Sequence, residues 1–262
     1  MTLCSDFIKQ SRATWKLLRK SVHVGLSIGE ETITDLNLLA LQSKHSREII
    51  TVKCNKPLEG LLGIDWEWFI LSFGSALAVR FQAKKLNTAS LDYPELGHKQ
   101  KSGQRQIDLL IDSSLRVAHS PIPLYVFYNY WERGRFNPKW LCGAYRRANT
   151  MLGCGVAYAP GVRQLLNKGS DRLADITHIM YPWSCLVCCT LGRSSNDNLV
   201  NRAFAFIQKL LATMEFSDEL SKERSVRDGV PSYVTKILEQ TALSDEDWLE
   251  AGVKRITLIR EG

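Results

Sequence analysis

Apolar residues recur at helical spacing along the start of the chain, where Leu3, Phe7, Trp15, Leu18 and Val22 line one side. That pattern predicts a helix over residues 3–22. Ser27-Ile28-Gly29-Glu30 reads as a capping box, with Ser27 at the N-cap and Glu30 three positions on. It opens a second helix that runs to Lys44 on Ile33, Leu36, Ala40 and Leu41. The period then shortens to that of strands. Residues 48–54, 64–71 and 77–84 read as β, the last two joined through Ser72-Phe73-Gly74-Ser75-Ala76, a hairpin signal. A polar stretch, residues 87–103, reads as loop. Helical spacing returns over residues 104–118 with Ile107, Leu110, Ile111, Leu115 and Ala118, and Pro121 and Pro123 end it. Residues 124–128 (LYVFY) form a short buried strand. Beyond it the pattern predicts a helix over 143–152 and a strand over 153–159. Further helices fall near 198–214, 231–242 and 245–251, the last capped by Ser244, and RITLIR ends the chain as a strand.

Helix, strand, paired strands, helix, strand is the order of an α/β or α+β sheet covered by helices. Residues 171–262 read as mainly helical. The expected organisation is therefore a core over 1–170 with a helical C-terminal extension over 171–262 packed on it.

Composition narrows the class. Of 262 residues 45% are hydrophobic, which excludes a disordered chain and supplies a core that needs no disulfide or metal staple. Lys and Arg exceed Asp and Glu by 34 to 27, a net charge of +7. This is compatible with a nucleic-acid partner, and an evenly spread charge of that size also serves solubility. Asp6 and Lys9 fall where a signal peptide needs an apolar run, and no apolar stretch approaches the roughly 18 residues of a membrane span. A soluble, cytoplasmic, reduced protein is expected. The 7 cysteines, at 4, 54, 142, 154, 185, 188 and 189, lack the spacing of a disulfide scaffold. Cys185 and Cys188 form a C-x-x-C with no second pair at matching spacing, so buried structural thiols are expected rather than zinc.

Candidate chemistry lies on the hairpin. Side chains alternate along a strand, so Asp65 and Glu67 share one face of the first strand while Ile64, Trp66, Trp68 and Ile70 take the other. On the second strand Arg80, Gln82 and Lys84 share a face, opposite Val79, Phe81 and Ala83. A Gly74-Ser75 turn sets Asp65 opposite Lys84, and a Phe73-Gly74 turn sets it opposite Gln82. Either register puts the polar groups on one side of the sheet; a three-residue loop or a bulge would split them. Two carboxylates, an amide oxygen and a lysine suit a hard divalent cation, which takes oxygen ligands. They also suit phosphodiester hydrolysis, in which the ion generates hydroxide and a cation stabilises added negative charge. The competing reading is a solvated face of cross-strand ion pairs worth about 0.2–1 kcal/mol each.

Gly63-Ile64-Asp65, a strand, then Gln82-Ala83-Lys84 resembles the PD-(D/E)xK nuclease superfamily, in the Mrr-like branch that carries Gln in the second motif. The likeness spans roughly residues 25–130. The longer string E-E-T-x-T-D, G-x-D-W-E-W, Q-A-K and P-L-Y-V-F-Y-N is similar to a bacterial family of uncharacterised proteins. Ile64 stands where the superfamily has proline. The resemblance implies a restriction-endonuclease-like mixed sheet flanked by helices, and a Mg²⁺-dependent (or Mn²⁺-dependent) endonuclease acting on nucleic acid, with DNA rather than RNA the expected substrate. It also implies a role in bacterial defence. Asp65 and Gln82 would hold the ion, with the Ala83 carbonyl and an acid of the first core helix. Glu31 is favoured for that acid because the capping box occupies Glu30. Lys84 would be the catalytic lysine.

Other candidates are weaker. Gln104 lies about 50° from the centre of the apolar face of its helix, at about 100° per residue, and in RecB-type relatives a glutamine on this helix supports the site. Glu67 is either an additional ligand or a surface acid. Lys85, Arg133, Arg135, Lys139, Arg146 and Arg147, the later ones interleaved with Trp131, Phe136 and Trp140, form the candidate grip on a phosphate backbone. Gly153-Cys154-Gly155 is too short a glycine pattern for phosphate binding. The alternative function is a non-catalytic module that retains the fold and binds nucleic acid or protein. A homodimer or a partner protein is left open.

Overall fold

The computed structural model describes residues 2–54, 64–100, 102–143, 148–188, 198–213 and 226–261. The chain forms α1 (Leu3–His23), α2 (Glu30–Lys44), β1 (Ile49–Lys53), β2 (Trp66–Ser72), β3 (Ser75–Lys85), α3 (Gln106–Arg116) and β4 (Ile122–Tyr128). There follow β5 (Cys154–Tyr158), α4 (Ala159–Asn167), α5 (Leu173–Ile176), β6 (Tyr181–Pro182), α6 (Cys185–Cys188) and α7 (Leu199–Ala212). The chain closes with β7 (Val226–Arg227), α8 (Ser232–Leu238), α9 (Asp245–Ala251) and β8 (Arg255–Arg260). The expected helix over 143–152 is a 3-10 turn at Asn149–Gly153, and residues 144–147 lie outside the described residues. Helix α4 was not foreseen; its Pro160 is tolerated because it falls in the first turn.

The strands make one mixed sheet in the order β1-β8-β2-β3-β4-β5-β6, with β7 on β3. The α/β class expected from the element order is what forms. The pairs β2/β8 and β3/β4 are parallel and the others antiparallel. The C-terminal region does not stay outside this sheet. Strand β8 inserts between β1 and β2, and Ile256, Leu258 and Ile259 are buried there. A strand enclosed on both sides buries a near-continuous apolar run.

Turn chemistry fixes the hairpin register. Ser72 pairs with Ser75 and Trp66 with Phe81, so the turn is Phe73-Gly74. Gly74 sits at φ 76°, the left-handed region that the third residue of a type II turn requires. Trp66 and Trp68 are buried on the apolar face. Trp66 stacks on Phe81 at 5.0 Å, and Trp68 meets Phe81 at 4.8 Å and Phe7 of α1 at 5.6 Å, both edge-on. Such contacts add about 0.5–1.5 kcal/mol per pair beyond burial.

Gly153 and Gly155 are packing residues. A Cβ on Gly153 would lie 2.0 Å from the Ser11 carbonyl oxygen of α1, and one on Gly155 would lie 2.2 Å from the Met180 sulfur. Cys4 and Cys188 are joined by a disulfide, which corrects the expectation of thiols throughout; Cys189 lies outside the described residues.

Helix α9 has the expected Ser244 N-cap. Ser244 accepts from the Asp247 amide, Asp247 accepts from the Ser244 amide, and Lys236 of α8 donates to Asp247 at 2.7 Å. These bonds hold the Asp247 carboxyl down at about 2, below its ordinary 3.8. A carboxylate so depressed contributes stability above its unfolded value, and that contribution disappears as the pH falls through about 2. Ser244→Ala should cost about 0.5–2 kcal/mol in urea unfolding at neutral pH. No loss would mean that α9 does not depend on its cap.

Candidate functional site

The functional groups meet where β2 begins and β3 ends. The Phe73-Gly74 register sets Asp65 beside Gln82, and the Asp65 amide donates to the Phe81 carbonyl at 3.0 Å, extending the ladder by one residue. Asp65 Oδ2 accepts from Gln82 Nε2 at 2.7 Å and from the Ala83 amide at 2.8 Å. Lys84 follows on the same face, its side chain 4% exposed, with Nζ donating to Gln106 Oε1 at 2.8 Å. Thus Asp65, Gln82, Ala83 and Lys84 are gathered as expected.

The acid of α2 that the structure brings to this cluster is Glu30, whereas the expectation favoured Glu31. Helix α2 begins at Glu30 with Gly29 as N-cap and no side-chain cap, so the capping box does not form. Ser27 stands two residues too early and accepts from Lys85 Nζ at 3.0 Å instead. Glu30 is therefore released from capping duty. Its Oε1 accepts from the Lys85 amide at 2.7 Å, which brings its charge within range of Asp65 and Lys84. Glu31 faces elsewhere: it pairs with Arg255 of β8 at 2.9 Å and with Lys53 at 3.5 Å.

The glutamine of the following helix is likewise displaced by two positions. Helix α3 starts at Gln106, which holds Lys84, while Gln104 precedes the helix and donates to Asp112 at 3.3 Å. Lys254, just before β8, approaches Asp65 Oδ1 to 3.7 Å. No local signal pointed to it, because only the insertion of β8 beside β2 brings it there. Glu67 is not a surface acid. It is fully buried, with Oε1 accepting from Arg80 Nε at 3.1 Å and paired with His119 Nε2 at 2.7 Å.

The lysines around the cluster do not offset the desolvation of its two carboxylates. Burial raises the pKa of Asp65, against the opposing pull of the Ala83 amide, Lys254 and Lys84. Burial also raises that of Glu30, and the Asp65 charge adds to it. At this cluster two buried polar atoms have no hydrogen-bond partner among the described residues, Gln82 Oε1 and the hydroxyl of Tyr125, the residue of β4 that pairs with Gln82. Leaving such an atom unsatisfied costs about 1–3 kcal/mol. Oxygen donors of this kind fit a hard divalent cation, which needs few carboxylates. Among the described residues no three His, Cys, Asp or Glu side chains group for a metal; the set here is two carboxylates and an amide.

Two of the basic candidates are engaged within the chain. Lys85 is spent on Ser27 and on the Ile28 carbonyl at 2.7 Å. Arg135 clamps the carbonyls of Thr88 and Ala89 at 2.7 and 2.9 Å. Arg133 and Lys139 are exposed, and Arg146 and Arg147 lie outside the described residues. Trp131 is buried edge-on against Phe136 and Trp15, so it has no free ring face for a base. A cleft of about 610 Å³ opens beside Glu30, lined by Leu26, Ser27, Lys85, Asn87 and Thr88 among others.

Fold and cluster together define an α/β protein with a carboxylate–amide–lysine group at one end of a mixed sheet. The chain belongs to a family of unknown function, DUF6615, whose profile matches residues 3–262. No curated protein matches it. Among the described residues no helix is long and apolar enough to cross a membrane.

Proposed function

We propose that the chain is a metal-dependent nuclease that hydrolyses phosphodiester bonds, with DNA the favoured substrate. The reading rests on one observation: two carboxylates raised by burial, an unpartnered buried amide oxygen and a buried ammonium group converge at one end of β2 and β3. Asp65, Glu30 and Gln82, with the Ala83 carbonyl, are the groups that would hold Mg²⁺ or Mn²⁺. A bound ion of this kind supplies a water acidified toward hydroxide and offsets phosphate charge. Lys84, positioned by Gln106, adds a fixed cation for the charge that develops on the phosphate. Lys254 neutralises Asp65 and so tempers the site's affinity for the ion.

The test incubates purified protein with plasmid DNA and with RNA, in Mg²⁺ or EDTA. Cleavage abolished by EDTA supports the reading. Cleavage that survives EDTA overturns it, and binding without cleavage under any metal leaves the non-catalytic module.

Calorimetric titration separates the two candidate acids. Glu30→Gln should weaken Mg²⁺ binding several-fold while Glu31→Gln leaves it unchanged; the reverse order would return the ligand role to Glu31. Protons compete for the same carboxylates, and their raised pKa values move that competition upward in pH. Mg²⁺ affinity should therefore begin to fall on acidification at a higher pH than for exposed carboxylates, and an affinity flat down to the ordinary carboxylate range would contradict the assignment.

A further inference from the structure

We propose that Cys4, Cys142, Cys185 and Cys188 form a closed four-thiolate site for Zn²⁺ when their sulfurs are reduced. Three separate stretches carry these residues. Cys4 lies in the first turn of α1, Cys142 follows β4 in a loop, and Cys185 and Cys188 stand at the two ends of α6. Cys4 is bonded to Cys188, and the Cys142 sulfur lies 3.6 Å from that of Cys185. Cys185 and Cys188 are i, i+3 on one helical turn, a spacing that puts Cβ atoms about 5–6 Å apart. The two sulfur pairs are thus carried on one turn of α6, through Cys185 and Cys188. Cys142, Cys185 and Cys188 are buried. The surroundings hold them in place: the Trp183 indole donates to the Phe7 carbonyl at 3.0 Å, and the two rings pack at 5.0 Å.

Structural zinc sites are tetrahedral and commonly join a C-x-x-C to two further cysteines. With Zn–S bonds near 2.3 Å, two thiolates on one tetrahedral ion stand about 3.8 Å apart, close to the Cys142–Cys185 separation. The C-x-x-C lacked a partner pair in the sequence because the other two ligands come from α1 and from the loop after β4; folding supplies them. Four thiolates leave no open position, so the ion would crosslink rather than catalyse. What it would secure is α6, a single turn, which is too short to be stable by itself.

The disulfide and the zinc site are alternatives. While Cys4 and Cys188 are bonded to each other only two of the four sulfurs can ligate, and no metal group is assembled among the described residues. A dithiol reductant transfers two electrons and two protons to that bond, yielding two thiols and its own disulfide. Zn²⁺ then displaces four thiol protons and forms four Zn–S bonds.

The full chain is reduced with a phosphine, given Zn²⁺ and desalted, and its metal is counted by mass spectrometry. One zinc per chain is expected, lost in Cys142→Ser and Cys185→Ser and kept in Cys54→Ser. Co²⁺ in place of zinc gives a reading that needs no variant: four thiolates produce intense sulfur-to-cobalt charge-transfer absorption with tetrahedral visible bands. Reduced wild-type protein that retains no zinc, zinc kept equally by Cys185→Ser, or a cobalt spectrum without the thiolate band would each overturn the proposal.

Discussion

Asp65→Asn is expected to abolish cation-dependent cleavage and, at the same time, to raise the melting temperature of the metal-free protein. The two effects have one cause. Asp65 is the carboxylate through which Gln82 and Ala83 are tied to β2, and its burial raises its pKa. An acid whose folded pKa is raised destabilises the fold while charged, and this penalty is relieved as the pH falls through the folded value. Asparagine keeps an oxygen for the Ala83 amide and removes the charge. The variant should therefore gain stability at neutral pH and lose the rise on acidification expected of the wild type. It should also lose the stabilisation that a bound cation confers by mass action. Lys84→Ala separates binding from chemistry. Cleavage should drop by about 10²–10³-fold, the typical cost of removing one group that stabilises transition-state charge, while Mg²⁺ still raises the melting temperature. Cleavage by Asp65→Asn at the wild-type rate would sink the site, and so would a Lys84→Ala protein with full activity.

The hairpin was legible because period-two alternation and a turn glycine act locally. Both registers compatible with a two-residue turn put Asp65, Gln82 and Lys84 on one face, so the cluster did not depend on choosing between them. The errors around it have a common origin in helix starts. Whether Ser27 or Gly29 caps α2 decides whether Glu30 is occupied or available, and that depends on Lys85, more than fifty residues away, capturing the Ser27 hydroxyl and offering its amide to Glu30. A two-residue shift at the start of α3 likewise exchanges Gln104 for Gln106. Long-range pairing was not legible at all. RITLIR reads as a strand, but nothing in it says that it lies between β1 and β2, so neither Lys254 beside Asp65 nor Arg255 drawing Glu31 away could be foreseen. The cysteines follow the same rule, since residues 4 and 188 meet only through the packing of α1 on α6.

Glu67→Ala should be the most destabilising single change on the polar face, at about 3–5 kcal/mol, because it leaves a buried guanidinium without a counter-charge. Glu67 is two residues beyond Asp65 on the same strand face, yet its surroundings are those of the core. Arg80 is 1% exposed, and among the described residues it reaches, besides Glu67, the carbonyls of Ser113 on α3 and Ala251 on α9. His119 and, at 3.5 Å, the Tyr233 hydroxyl complete the carboxylate's neighbours. The pair thus ties the hairpin to the helix that carries Gln106. Breaking it should loosen α3 and lower activity without any contact to substrate. Replacing both partners by apolar residues of similar size, Glu67→Leu with Arg80→Met, should recover much of the loss, since a buried ion pair barely repays the desolvation of its two charges. A double-mutant cycle in urea measures this, and residues in direct contact should couple by about 0.5–3 kcal/mol. If Glu67→Ala unfolds at the wild-type midpoint, water reaches Arg80 and the face is solvated after all. Asp65 would then lie in the same wet environment, and the burial that raises its pKa would be lost with it.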